Sequence, residues 1–215
     1  MQISVSAKEK KYNQVVRFMN KGLVNDALEE CRQLLARHPN DSHVHYLMGA
    51  AFFTIKKYPE ALEWFTKALD LQPENKEYRL VYGDTLRLCG FHDKCEKVLL
   101  EVLDEDPNNE RALISLGLVC DTFRQWHQGA EYFQRAVELK PSNSLAHRKL
   151  AEMLLYKGDT EDALSHARKA KALEPKAAGN YQLLAIIYQT LGDKNKATGF
   201  LEKCIEIDPM NGGAY

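Results

Sequence analysis

Apolar residues along this chain recur every three or four positions in short runs, and the runs come in pairs. YLMGAAFFTIKK is followed by PEALEWFTKALDL, each with the rhythm of one face of an amphipathic helix. Related pairs of runs follow one another along the chain, and each second run ends just ahead of a proline: Pro39, Pro73, Pro107, Pro141, Pro175 and Pro209. Neighbouring prolines stand 34 residues apart. Punctuation that regular belongs to a stack of like supersecondary units, each of which stops its second helix at the same point. The predicted units are 8–41, 42–75, 76–109, 110–143, 144–177 and 178–211, after a lead-in at 1–7. Residues 212–215 begin a seventh, with Tyr215 at its fourth position.

The polar residues between the runs predict how each helix starts and stops. Gly22, Gly90, Gly158 and Gly192 share position 15 of the repeat, where a left-handed residue closes the first helix without a Cβ clash. Lys56 and Arg124 take that place in the second and fourth units, at a modest strain. Pro59 suits the first turn of a second helix, where its missing N–H is harmless. Asp41, Asn75, Asn109, Asn143 and Asn211 follow the prolines and can cap the next first helix. Ala177 breaks that series, so the last unit is predicted to open less well capped. The first unit opens with Lys11, Gln14 and Val15, the more polar face expected of a terminal repeat.

Small residues occupy position 8 (Gly49, Gly83, Gly117, Ala151, Ala185, with Val15 the exception), and most of position 20 (Ala27, Ala61, Cys95, Gly129, Ala163, Ala197). Position 24 carries Cys31, Phe65, Leu99, Phe133, Ala167 and Leu201. Small side chains at 8 and 20 are expected to face each other where two helices cross, with position 24 filling the groove beside them. In spacing and residue type the chain resembles the tetratricopeptide repeat family, whose pattern sets Leu-Gly in the first helix, Ala-x3-Phe in the second and Pro after it. The resemblance spans 8–211. It implies an all-α fold, a right-handed α-solenoid of antiparallel helix pairs.

Charge and chemistry narrow the reading further. Twenty-nine basic residues stand against thirty acidic ones, so no general electrostatic attraction to nucleic acid is expected. No apolar stretch is long enough to insert in a membrane, and the start lacks a secretory leader. Five cysteines at irregular spacing argue against a disulfide framework. A cytoplasmic location is the expectation. Cys89, His92 and Cys95 cluster around one turn, but a structural metal site wants a fourth ligand, so no metal is predicted there. Cys31, Cys120 and Cys204 fall on packing positions, and His43 and His45 point to different faces of one helix. No motif for catalysis or for a cofactor occurs, so residues 1–215 are read as non-enzymatic.

A surface-forming fold puts function on its exposed positions. In the resembling family the first helices line a concave groove, which here would present Tyr46, Leu47 and Phe53, then Leu80, Val81 and Asp84, then Arg111, Ile114 and Leu118, then Arg148 and Lys149. An apolar floor followed by a small basic cluster suits a peptide or partner helix with apolar anchors and an acidic end. The family's carboxylate clamp for chaperone tails needs Lys and Asn at positions 5 and 9; no unit has them, the fifth reading Arg148 and Glu152. Leu183, Ile186 and Ile187 on the last first helix suggest self-association through that face. The alternative to a free-standing scaffold is the substrate- or partner-presenting repeat region of a larger glycosyltransferase or sulfotransferase, with its catalytic domain beyond residue 215.

Overall fold

The computed structural model describes residues 7–209, and every regular element among them is an α-helix. There are twelve: α1 (Ala7–Asn20), α2 (Val24–Arg37), α3 (Ser42–Thr54), α4 (Tyr58–Leu71), α5 (Lys76–Leu88), α6 (His92–Glu105), α7 (Glu110–Thr122), α8 (Trp126–Leu139), α9 (Ser144–Lys157), α10 (Thr160–Leu173), α11 (Ala178–Thr190) and α12 (Lys194–Ile207). Each odd-numbered helix packs on the even-numbered one that follows, and the short turn between them makes the pair antiparallel. The chain divides into two compact units, residues 1–105 and 106–215.

All six turns within pairs close in the same way. The N–H of the residue after the turn reaches back to the carbonyl five residues earlier: Leu23 to Phe18, Lys57 to Phe52, Phe91 to Leu86, Gln125 to Cys120, Asp159 to Leu154 and Asp193 to Tyr188, each within 2.9–3.0 Å. That bond requires a left-handed residue just before it. Gly22, Gly90, Gly158 and Gly192 have φ between 74° and 92°, and Lys56 and Arg124 adopt 60° and 58°. The two charged residues therefore accept a cost of roughly 1–2 kcal/mol that glycine avoids.

The connections between pairs are built from the caps and from the prolines. The side chains of Asp41, Asn75, Asn109 and Asn143 accept backbone N–H groups of α3, α5, α7 and α9, while Ala177 offers none to α11. Asn211 lies outside the described residues. Each even-numbered helix ends two residues before its proline. The proline carbonyls are themselves used: His45 Nε2 lies 2.8 Å from Pro39 O, His147 Nε2 3.1 Å from Pro141 O, and Tyr181 donates to Pro175 O at 2.8 Å. All three side chains stand at position 4 of the following unit, so α3, α9 and α11 are each latched to the loop that precedes them.

Packing within a pair differs in one respect from the crossing expected between positions 8 and 20. A Cβ built on Gly49 would lie 2.7 Å from the ring of Phe65, on Gly83 2.8 Å from Leu99, and on Gly117 2.7 Å from Phe133. The small residue at position 8 thus makes room for the large one at position 24 of its own pair. At position 20, Gly129 on α8 lies between the next first helix and its own partner: a Cβ there would meet Met153 Sδ of α9 at 3.0 Å and Cys120 Cβ of α7 at 3.3 Å. In the first unit a core runs from Val15 on α1 through Ala27, Cys31 and Leu34 on α2 to Val44 and Met48 on α3. The second unit has a matching core of Ala151, Ala163, Ala167, Leu184 and Ile187.

Candidate functional site

The first helices supply the candidate groove. In the first unit Leu47, Leu80 and Val81 are only 2%, 5% and 8% exposed. They are core residues, and the groove expectation is corrected for them: they back the surface and do not line it. Tyr46, Phe53 and Asp84 keep half-buried side chains. Tyr46 stacks between His43 (centroids 5.7 Å apart) and Tyr78 (5.1 Å), with the edge of Tyr12 on the far side of His43 (4.7 Å). Burial within this aromatic row pushes the His43 pKa down. Phe53 meets Tyr58 edge-on at 5.3 Å. The row is a preformed apolar surface whose faces are largely satisfied by one another.

In the second unit Arg111, Ile114 and Leu118 on α7 are half-buried, as are Arg148 and Lys149 on α9. Lys149 Nζ contacts Asp121 at 2.8 Å and Glu152 at 2.6 Å, and Arg148 Nη1 contacts Glu152 at 2.7 Å. Burial works against the Lys149 charge, but the hydrogen bonds it donates to Asp121 and Glu152 outweigh it and hold the pKa above the usual lysine value. The expected basic cluster at Arg148 and Lys149 is therefore a charge-neutral network that ties α9 to α7. An acidic partner end gains little from it.

The concavity of the second unit lies beside that network, between α9 and α11. A depression of ≈240 Å³ is bounded by Arg148, Glu152, Leu155 and Tyr156 on one side and by Gly179, Gln182, Leu183 and Ile186 on the other. Tyr156 is 62% exposed and Ile186 45%. Trp126, the first residue of α8, stacks on Tyr156 at 4.3 Å and holds the ring upright. A Cβ on Gly179 would come no nearer than 3.9 Å to Arg148, so this glycine leaves the mouth open where other units carry a side chain. Leu155, Tyr156, Gln182 and Ile186 stand at positions 12, 13, 5 and 9 of their repeats, on the first helices from which the sequence reading built its groove. It missed Gly179 and Trp126, whose only signal was their position in the repeat.

Two other expectations change with burial. Leu183 and Ile187 are 5% and 0% exposed inside the second core, which leaves Ile186 alone of that trio on the surface. Self-association through a sticky last helix loses most of its basis. Cys95 is fully buried, and burial raises its thiol pKa to about 12, so it packs as a small apolar residue. Among the described residues no three His, Cys, Asp or Glu side chains are grouped as a metal site would need, and no helix is long and apolar enough to cross a membrane.

Comparison with known proteins follows the architecture. Anaphase-promoting complex subunit 3 of Schizosaccharomyces pombe is 22% identical over 80% of this chain and 26% of its own length. Human protein O-mannosyl-transferase TMTC1 is 22% identical over 75% of this chain and 19% of its own. The chain thus spans about a quarter or less of these curated relatives. Among solved structures, PilW, described as a widely conserved type IV pilus biogenesis factor, superposes with a TM-score of 0.85 at 20% identity, covering 95% of this chain and 94% of that one. That likeness shows the fold, an all-α solenoid of helix pairs. The tetratricopeptide repeat description matches residues 12–85, 121–178 and 178–211, more than half of the sequence, and the chain belongs to the tetratricopeptide repeat family.

Proposed function

We propose that the chain is a non-catalytic scaffold for protein–protein interaction, and that the concave face of its second unit binds a peptide or partner helix. The observation that carries this reading is the open depression between α9 and α11, where Tyr156 and Ile186 stand exposed in a lining that also holds Gln182. Two apolar walls would hold an anchor side chain, and the Gln182 amide in the same lining can pair with main chain. The half-buried aromatic row of the first unit, centred on Tyr46, offers further apolar surface to a partner. Recognition rests on apolar anchors, since the charges of Arg148 and Lys149 are already spent on Glu152 and Asp121. Peptides selected from a random library on the folded chain test the idea. Tyr156→Ala and Ile186→Asp should each weaken a selected peptide about tenfold or more, as loss of a central anchor does. Unchanged affinity, with helicity intact by circular dichroism, removes the groove from the reading.

A second reading is favoured by the similarity to an O-mannosyl-transferase. Here the repeats would present substrate or partner to a catalytic domain beyond residue 215. It is tested by the natural coding sequence, which must continue past Tyr215 into such a domain; a frame that closes there ends it.

A further inference from the structure

A second and larger depression, ≈440 Å³, opens in the first unit between α4 and α6, over α5. It shares no residue with the concave face. Leu69, Tyr82 and Val98 give it half-buried apolar walls, and Asp70 on α4 and Glu101 on α6 are exposed carboxylates along its flanks. Arg79 also lines it and is only 9% exposed. Both Arg79 Nη atoms donate to Glu105 at 2.7 Å, which spends the guanidinium charge. Its Nε is buried and makes no hydrogen bond. That burial keeps Nε out of reach of a docked partner, so Arg79 serves the fold through Glu105.

We infer that this groove docks a basic amphipathic helix of a partner protein. Apolar side chains of the helix would pack on Leu69, Tyr82 and Val98, and its Lys or Arg residues would meet Asp70 and Glu101. The second unit provides an internal contrast. Its comparable depression, ≈460 Å³, carries Leu150 and Glu138 at the repeat positions of Tyr82 and Asp70, but the counterpart of Glu101 on the next second helix is Lys169 on α10. The flank charges there have opposite signs, so complementarity to a basic helix belongs to the first unit.

The probe is a fluorescein-labelled Leu/Lys amphipathic helix titrated into the full chain, with its Leu/Glu counterpart as control. Binding of the Leu/Lys peptide should weaken with salt and shift backbone amide resonances around Leu69 and Val98. Asp70→Asn combined with Glu101→Gln should lower its affinity about tenfold, mainly through a slower association that no longer depends on salt. Val98→Asp should abolish the amide shifts while helicity is kept. The proposal is overturned if the Leu/Lys peptide does not bind, if the Leu/Glu peptide binds as well, or if the double substitution leaves affinity unchanged. Shifts that map to α8–α11 instead also overturn it.

Discussion

Gly49 and Phe65 share one volume: a Cβ on the glycine would sit 2.7 Å from two carbons of the buried ring. The trade recurs through the chain. Gly83 and Gly117 face Leu99 and Phe133, whereas the fifth unit sets Ala151 with Ala167, and the first sets Val15 with Cys31. Where position 24 shrinks, position 8 grows. Departures from the family pattern at Val15, Cys31 and Ala167 are thus paired adjustments of a single contact.

Gly49→Ala should destabilise the chain. Overpacking a full site costs about 1–3 kcal/mol, and the gain in helix propensity returns at most about 1 kcal/mol. Phe65→Ala alone should cost about 3–5 kcal/mol through the cavity it leaves. The two changes together recreate the Ala151–Ala167 arrangement, and should cost less than their sum by about 0.5–3 kcal/mol. Urea unfolding of the wild type, both single variants and the double variant measures this. Additive losses would mean that the two positions do not share space.

The six turns give a second prediction, of opposite sign. Lys56 and Arg124 hold φ of 60° and 58° in turns where four other units use glycine. Lys56→Gly and Arg124→Gly should each raise stability, by up to about 1 kcal/mol once the entropy of glycine in the unfolded chain is subtracted from the strain relieved. Gly158→Lys, at φ 92°, should lower it by about 1–2 kcal/mol. Equal stabilities across the three variants would show that the left-handed turn carries no strain.

Much of this fold was legible because a repeat states each rule several times. The turn at Gly22 would be ambiguous alone; beside Gly90, Gly158 and Gly192 it set the frame in which Lys56 and Arg124 could be recognised as strained. The caps at Asp41, Asn75, Asn109 and Asn143 followed from the same frame. What stayed illegible was whether a given side chain is spent inside the protein. Leu47, Leu80 and Val81 fall in groove positions by count, yet the neighbouring helix covers them. Lys149 reads as an open cation until Asp121, 28 residues earlier, comes within 2.8 Å of it. Contacts between units depend on how helices tilt, which residue type at one position does not specify. The open groove beside them depends on Gly179, a residue that signals by having no side chain.

Lys149 is expected to behave as a structural residue. Its side chain is 17% exposed and serves two carboxylates, so Lys149→Met leaves Asp121 and Glu152 with one fewer cation between them. The loss should be about 1–2 kcal/mol, between the near-zero of surface pairs and the 3–5 kcal/mol of fully buried ones. Lys203→Met, in an exposed pair with Glu206 on α12, should change stability by less than about 0.5 kcal/mol. Thermal unfolding of the two variants separates them. A Lys149→Met variant as stable as Lys203→Met would show that the network is loose and its charges are available to a ligand.

The paired histidines of α9 and α10, His147 buried and His166 half-buried, make stability depend on pH in a defined direction. His147 Nε2 lies against the Pro141 carbonyl and so carries a proton; neutral His147 therefore accepts at Nδ1, and His166 Nδ1, 2.9 Å away, donates. A second proton has no acceptor in that pair. Burial lowers both pKa values; for His166 the neighbouring His147 and Lys169 add to the effect, and Asp162 opposes it. A histidine whose folded pKa lies below the unfolded value of about 6.5 binds its proton more readily when unfolded. Its contribution to stability is thus present above about pH 6.5 and is lost as pH falls through the depressed folded pKa. The urea midpoint should fall between about pH 7.5 and pH 5. His166→Gln keeps a donor toward His147 and removes one titrating ring, and its midpoint should fall less over the same range. A variant with the same slope as the wild type would assign the pH dependence to other groups, His43 first among them.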